Sequence, residues 1–82
     1  VRLPRDISGK ELAALLGREF GYEFVRQRGS HMRLSTVVAG SHSITIPAHD
    51  PLKVGTLSGI IDDVARHRAI TREEVADRLF GS

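Results

Sequence analysis

No cysteine occurs in the 82 residues, which removes disulfide frameworks, thiolate zinc sites and cysteine nucleophiles. Long apolar runs are missing as well. The longest, Leu12 to Leu16, is five residues, against the ~20 needed to cross a bilayer. The opening residues do not read as a signal peptide, so a cytoplasmic setting and no membrane partner are expected. No Gly-rich phosphate loop and no H-E-x-x-H pair is present. The histidines, His31, His42, His49 and His67, show no i,i+2 or i,i+4 pairing, so neither a metal nor a cofactor is expected. Asp62 and Asp63 are neighbours on a predicted helix, where side chains diverge by about 100°, and do not form a working carboxylate pair.

What is present suits one small folded unit spanning 1–82. Forty per cent of the residues are hydrophobic and 27% charged, ordinary for a folded domain. A chain this short buries only about 60–65% of its unfolded surface, so the core must be economical. The net charge of +2 is unevenly spread: residues 1–23 sum to zero, 24–56 to +3 and 57–82 to −1. The excess comes from Arg26, Arg28, Arg33 and Lys53. A basic middle third suits a phosphate backbone, and equally suits an edge strand kept soluble by arginines.

Ser8–Gly9–Lys10–Glu11 reads as a capping box with Ile7 and Leu12 as its staple. Leu12, Leu15, Leu16 and Phe20 follow at helical spacing, and Gly21 is a left-handed stop. Tyr22–Arg28 reads as a strand and Gly29–Ser30 as a tight turn. His31–Val38 then alternates Met32, Leu34, Thr36 and Val38 on one side with His31, Arg33, Ser35 and Val37 on the other. Ala39–Gly40–Ser41 forms a hairpin loop before a third strand, His42–Pro47, with Ile44 and Ile46 inward. After the loop Ala48–Gly55, Thr56 is placed to cap a second helix buried through Leu57, Ile60, Ile61 and Val64. A second capping box, Thr71 to Glu74, opens a short terminal helix. Its Val75, Ala76, Leu79 and Phe80 either complete the core or form a docking surface.

The expected fold is therefore α+β. Its order, α-β-β-β-α, is that of a double-stranded-RNA-binding domain: a three-stranded antiparallel sheet with helices on one face. The core spans about 8–67, and the short C-terminal helix about 71–80. Function must be argued from the site, not the fold.

Chemistry concentrates in Arg26–Gln27–Arg28–Gly29–Ser30–His31–Met32–Arg33. The alternation puts His31 and Arg33 together on the uncovered sheet face. A histidine titrates near neutrality, and flanking arginines hold phosphates at the same surface. RNA supplies its own nucleophile, the 2′-hydroxyl. One imidazole that takes its proton, or protonates the leaving 5′-oxygen, contributes roughly 10²–10⁴ in rate. Spacing alone equally allows a solvated histidine beside a turn. Ser30 and His31 point to opposite faces and do not make a dyad.

Gly21-Tyr22…Val25-Arg26-Gln27-Arg28-Gly29-Ser30-His31, then Ile44-Thr45-Ile46-Pro47-Ala48-His49 and Gly55-Thr56-Leu57…Ile60-Ile61, resemble the HicA toxin family. The resemblance runs from about Ser8 to Arg78. It implies a small mRNA interferase, the toxin of a type II toxin–antitoxin pair, acting on mRNA and covered on its active face by a HicB-like antitoxin. It carries the family's catalytic histidine onto His31 and its Pro-x-His pattern onto His49, which is either a second acid–base group or phosphate contact, or a plain loop histidine. Arg26, Arg28, Ser30, Arg33 and Lys53 are the expected RNA-binding set. Met32 stands where members often carry a polar or aromatic residue, a difference that would bear on substrate preference.

Two other readings remain at this point. A non-catalytic RNA-binding module would use the same basic face. Recognition of duplex RNA, however, wants a lysine cluster opening the last core helix, and Thr56–Leu57–Ser58–Gly59 has none. A protein-binding adaptor would use the terminal helix.

Overall fold

The computed structural model describes residues 3–81. Its elements run α1 (Gly9–Phe20), β1 (Glu23–Arg28), β2 (His31–Thr36), β3 (His42–Pro47), α2 (Val54–Arg68) and α3 (Arg72–Phe80). The three strands form one antiparallel sheet in the order β1-β2-β3. This is the expected α-β-β-β-α arrangement with an extra C-terminal helix.

Helix α1 forms where its caps dictate. The Glu11 N–H donates to Ser8 Oγ (3.1 Å) and the Ser8 N–H to Glu11 Oε1 (2.9 Å), satisfying two orphan donors of the first turn. The carboxyl of Glu11 is held below its usual range by the hydrogen bond it accepts from the Ser8 backbone N–H, and secondarily by the Ser8 hydroxyl. At the other end Gly21 adopts φ 74°, and its N–H closes onto the Gly17 carbonyl. Leu12, Leu16 and Phe20 are buried on one face.

The apolar alternation of β2 and β3 supplies the opposing layer. Met32 pairs with Ile46 and Leu34 with Ile44, and all four are buried against Leu12, Leu16, Leu57, Ile61 and Val64. Helix α3, opened by a Thr71–Glu74 capping box, adds Val75, Ala76 and Leu79 to the buried set. The terminal helix thus completes the core. Phe20 lies beneath two guanidiniums, those of Arg68 and Arg78 at 5.2 and 4.3 Å from its ring centroid. Arg78 also donates to the Glu19 carbonyl at 2.7 Å, fixing α3 to α1.

Four local expectations shift. The first strand starts at Glu23, and Tyr22 is buried ahead of it. Strand β2 stops at Thr36, whose Oγ1 accepts from the Val38 N–H (3.0 Å) and turns the chain. Val38 therefore leaves the covered face and is 45% exposed, and the loop continues through left-handed Ala39 and Gly40. Helix α2 begins at Val54 with Lys53 as N-cap, and Thr56 lies inside its first turn. The reason lies upstream: Leu52 is buried and its N–H bonds the Ile7 carbonyl at 2.8 Å. That contact fixes where the chain enters the helix.

Coverage of the sheet is uneven. All six residues of β1 are exposed, including Phe24 and Val25. A bulge between Phe24 and Arg26 resets the alternation of this edge strand. Phe24 then faces the Leu34 side, while Arg26 and Arg28 join the opposite face.

Candidate active site on the uncovered sheet face

The site is built by register. Arg28 pairs with His31, which pairs with Pro47. Arg26 pairs with Arg33, which pairs with Thr45. Residues opposite one another in an antiparallel ladder share a face, so two rows of side chains lie side by side across the three strands. The next row, Glu23, Ser35 and Ser43, carries no cation. Three of the four cations of the middle third are thus gathered at one end of the sheet.

Gly29 makes this end possible. It adopts φ 57° in the β1–β2 turn, and its carbonyl accepts from Gln27 Nε2 at 2.9 Å. The turn delivers His31 as the first residue of β2. One backbone bond then locks the neighbouring loop onto the turn, the Ala48 N–H donating to the Ser30 carbonyl (2.6 Å), and a second, from the Gly9 N–H to the His49 carbonyl (2.9 Å), ties that loop to the start of α1.

Arg26, Arg28, His31, Arg33 and Thr45 line one shallow concavity of about 150 Å³. Within it Arg33 Nη1 donates to Thr45 Oγ1 at 3.3 Å. One imidazole amid three guanidiniums, all exposed, suits holding a phosphodiester beside an acid–base group.

Of the residues singled out from sequence, Arg26, Arg28, His31 and Arg33 are brought together. Ser30 sits in the turn, where its carbonyl is engaged by Ala48. His49 is exposed on the β3–α2 loop at the same end of the sheet, outside the residues lining the concavity. Lys53 occupies the N-cap of α2 and is likewise outside that lining. Thr45 was not singled out. Its signal was the alternation of the third strand, which turns Ile44 and Ile46 inward and hence Thr45 outward. Met32 is 3% exposed, so its difference from the family pattern is one of core packing and not of the exposed sheet face.

His42 and His67 belong elsewhere. His42 Nδ1 lies 2.7 Å from Tyr22 Oη, and His67 Nε2 lies 3.0 Å from the Val38 carbonyl oxygen. Both are structural, at the end of the sheet away from His31. A larger cavity of about 440 Å³ lies between residues 3–7 and α3, lined by Leu3, Pro4, Asp6, Ile7, Glu11 and Phe80. It contains no histidine, and its Glu11 is committed to the α1 cap. Among the described residues, no three His, Cys, Asp or Glu side chains converge as metal ligands would. Among the described residues, no helix is long and apolar enough to cross a membrane.

The family model described as the HicA toxin of bacterial toxin–antitoxin systems matches residues 9–65. The match takes in α1, all three strands and most of α2, and with them the whole concavity; α3 lies outside it. No curated protein matches the chain, and no solved structure does. The shared segment covers well over half of the sequence and carries the strand order and the histidine-bearing turn alike: the chain belongs to the HicA toxin family.

Proposed function

We propose that the protein is an mRNA interferase, a toxin whose endoribonuclease chemistry runs through His31. The observation that carries this reading is the grouping of His31 with Arg26, Arg28 and Arg33 in one concavity on the exposed sheet face, inside the segment matched to the family. The substrate's 2′-oxygen attacks the adjacent phosphorus, forming a P–O2′ bond as the P–O5′ bond breaks. The products are a 2′,3′-cyclic phosphate and a 5′-hydroxyl. His31 moves one of the two protons, from the 2′-hydroxyl or to the 5′-oxygen. His49, on the loop bonded to the Ser30 turn, is the candidate for the other. The guanidiniums neutralise charge building on the phosphoryl oxygens.

The same face suits a protein inhibitor. A HicB-like antitoxin with an acidic surface docks over the concavity and buries His31. Hydrogen exchange on such a complex is expected to protect residues 26–35, whereas protection confined to the helices would place inhibition elsewhere.

The deciding experiment compares the purified protein with His31→Ala on a transcript. The substitution is expected to abolish cleavage while leaving RNA affinity and fold in place, because the arginines remain and His31 is exposed. Cyclic-phosphate ends and indifference to a chelator are expected of the wild type. A His31→Ala protein that cuts at the wild-type rate would overturn this reading. A chain that binds RNA but never cuts it would be a binding module instead.

A further inference from the structure

We infer that Arg26, Arg33 and Thr45 form a second phosphate subsite, one nucleotide from the scissile phosphate held at Arg28 and His31. The inference rests on the proposed ribonuclease reading and specifies how its substrate lies on the sheet.

Three observations converge. The concavity has two rows, with Arg28 beside His31 and, one row along, Arg26 and Arg33 beside Thr45. His31 and Arg33 are two residues apart on β2, a rise of roughly 6.8 Å along the strand, which is on the scale of one nucleotide step in an extended single strand. A guanidinium in each row can therefore meet successive phosphates if the RNA runs along β2. Finally, Arg33 has a partner on the neighbouring strand that orients it: its Nη1 donates to Thr45 Oγ1 (3.3 Å).

That hydrogen bond is the core of the assignment. Arg33 is exposed and has no carboxylate partner among the described salt bridges, so its charge is unspent. Holding a guanidinium in place reduces the ordering cost of binding an anion. Thr45 is thus a positioning residue, acting through Arg33 on the second phosphate. The third row carries Glu23 with Ser35 and Ser43, which repels a phosphate and ends the cationic track on that side.

Duplex RNA is not the ligand this track fits. Beyond Lys53, the first turn of α2 (Val54, Gly55, Thr56, Leu57) offers no basic side chain to bridge major-groove phosphates. The occupant is a single strand read through adjacent phosphates.

The test uses binding, not cleavage. Oligodeoxyuridylates with one and with two internucleotide phosphates lack the 2′-hydroxyl and are not cut. Their affinities for the full chain are measured by amide chemical-shift titration at several salt concentrations. The second phosphate is expected to raise wild-type affinity about tenfold through an added charge-assisted contact and to steepen the salt dependence by about 0.7 in slope. In Arg33→Gln, with Arg26 still in place, the step should shrink, and with Arg26→Gln added it should fall to the about twofold that an extra binding register supplies, with no added slope. Thr45→Val should lose part of the step and Thr45→Ser retain it.

A wild-type step that survives Arg33→Gln undiminished, or no step at all, overturns the subsite. So does a Thr45→Ser protein that behaves like Thr45→Val, as far as Thr45's role is concerned. Because these ligands cannot be cut, the result is independent of His31. Cleavage that persists in His31→Ala would sink the catalytic reading and leave the subsite standing.

Discussion

His42 and His67 stack with their ring centroids 4.4 Å apart and their planes 11° from parallel. The pair joins the first residue of β3 to the last turn of α2. Each ring has a second attachment, His42 to the Tyr22 hydroxyl and His67 to the Val38 carbonyl, while Asp63 Oδ1 lies 3.8 Å from His42 Nε2. Two of the four imidazoles are therefore consumed in fastening the far end of the sheet. The other two, His31 and His49, remain at the end where the arginines gather.

Replacing His67 by alanine removes the stack and the bond to the hairpin loop together. The expected loss is about 1–2 kcal/mol, one side-chain hydrogen bond plus packing, read from urea denaturation. Cleavage by the folded variant should match wild type. A variant that keeps full stability would show that the stack contributes nothing to holding the hairpin.

Alkaline titration should reveal the same cluster. Burial, assisted by the nearby Asp63 charge and opposed by Arg68, pushes the Tyr22 hydroxyl up from its ordinary 10 to about 12. The folded state thus holds this proton more tightly than the unfolded chain, and stability falls as pH rises from 10 towards 12. Phenolate absorbance should appear late in that window for the folded protein. Tyr22→Phe should flatten the decline, and an unchanged decline would assign it to other groups.

Gly9 has no room for a side chain. A Cβ there would collide with the Pro47 carbonyl oxygen, and its N–H is bonded to the His49 carbonyl. Gly9→Ala should cost about 1–3 kcal/mol as overpacking, seen as a lower denaturation midpoint. Amide shifts around residues 47–49 should move with it. Gly29→Ala meets no atom nearby and is opposed only by its left-handed backbone, so it should cost roughly 1–2 kcal/mol.

Much of this was legible in the sequence, and the reasons differ by element. Both capping boxes work locally, between residues three apart, so Ser8–Glu11 and Thr71–Glu74 could be read from letters alone. So could the inward set Met32, Leu34, Ile44 and Ile46, because strand alternation is strict in β2 and β3. The bulge at Val25 was not readable: Tyr22–Arg28 has no clean two-residue period to break. The start of α2 at Lys53 depends on Leu52 reaching Ile7, a contact 45 residues apart in sequence. The histidine stack likewise exists only once α2 has docked on the hairpin. At the site, alternation placed His31 and Arg33 on one face, but only the register showed that Thr45 sits beside Arg33, and only the docked start of α2 put Lys53 outside the concavity.

Salt dependence separates the cations. Binding of a short single-stranded RNA should lose about 0.7 in the slope of log K against log salt for each phosphate contact removed. Arg28→Gln and Arg33→Gln should each show that loss. Lys53→Gln, outside the concavity, should leave the slope for such short ligands unchanged. An equal effect of Lys53→Gln would extend the RNA path to the start of α2.

The helices pack against one side of the sheet, and His31 with the three arginines stands on the other. The demands of folding and those of the exposed face therefore fall on different letters of this short sequence. Substitutions at exposed positions usually shift stability by less than about 0.5 kcal/mol, so His31, Arg28 and Arg33 can drift with little structural penalty. Under the proposed function, a chain that had lost its activity would still fold and accumulate, and protein abundance alone would not distinguish it from an active one.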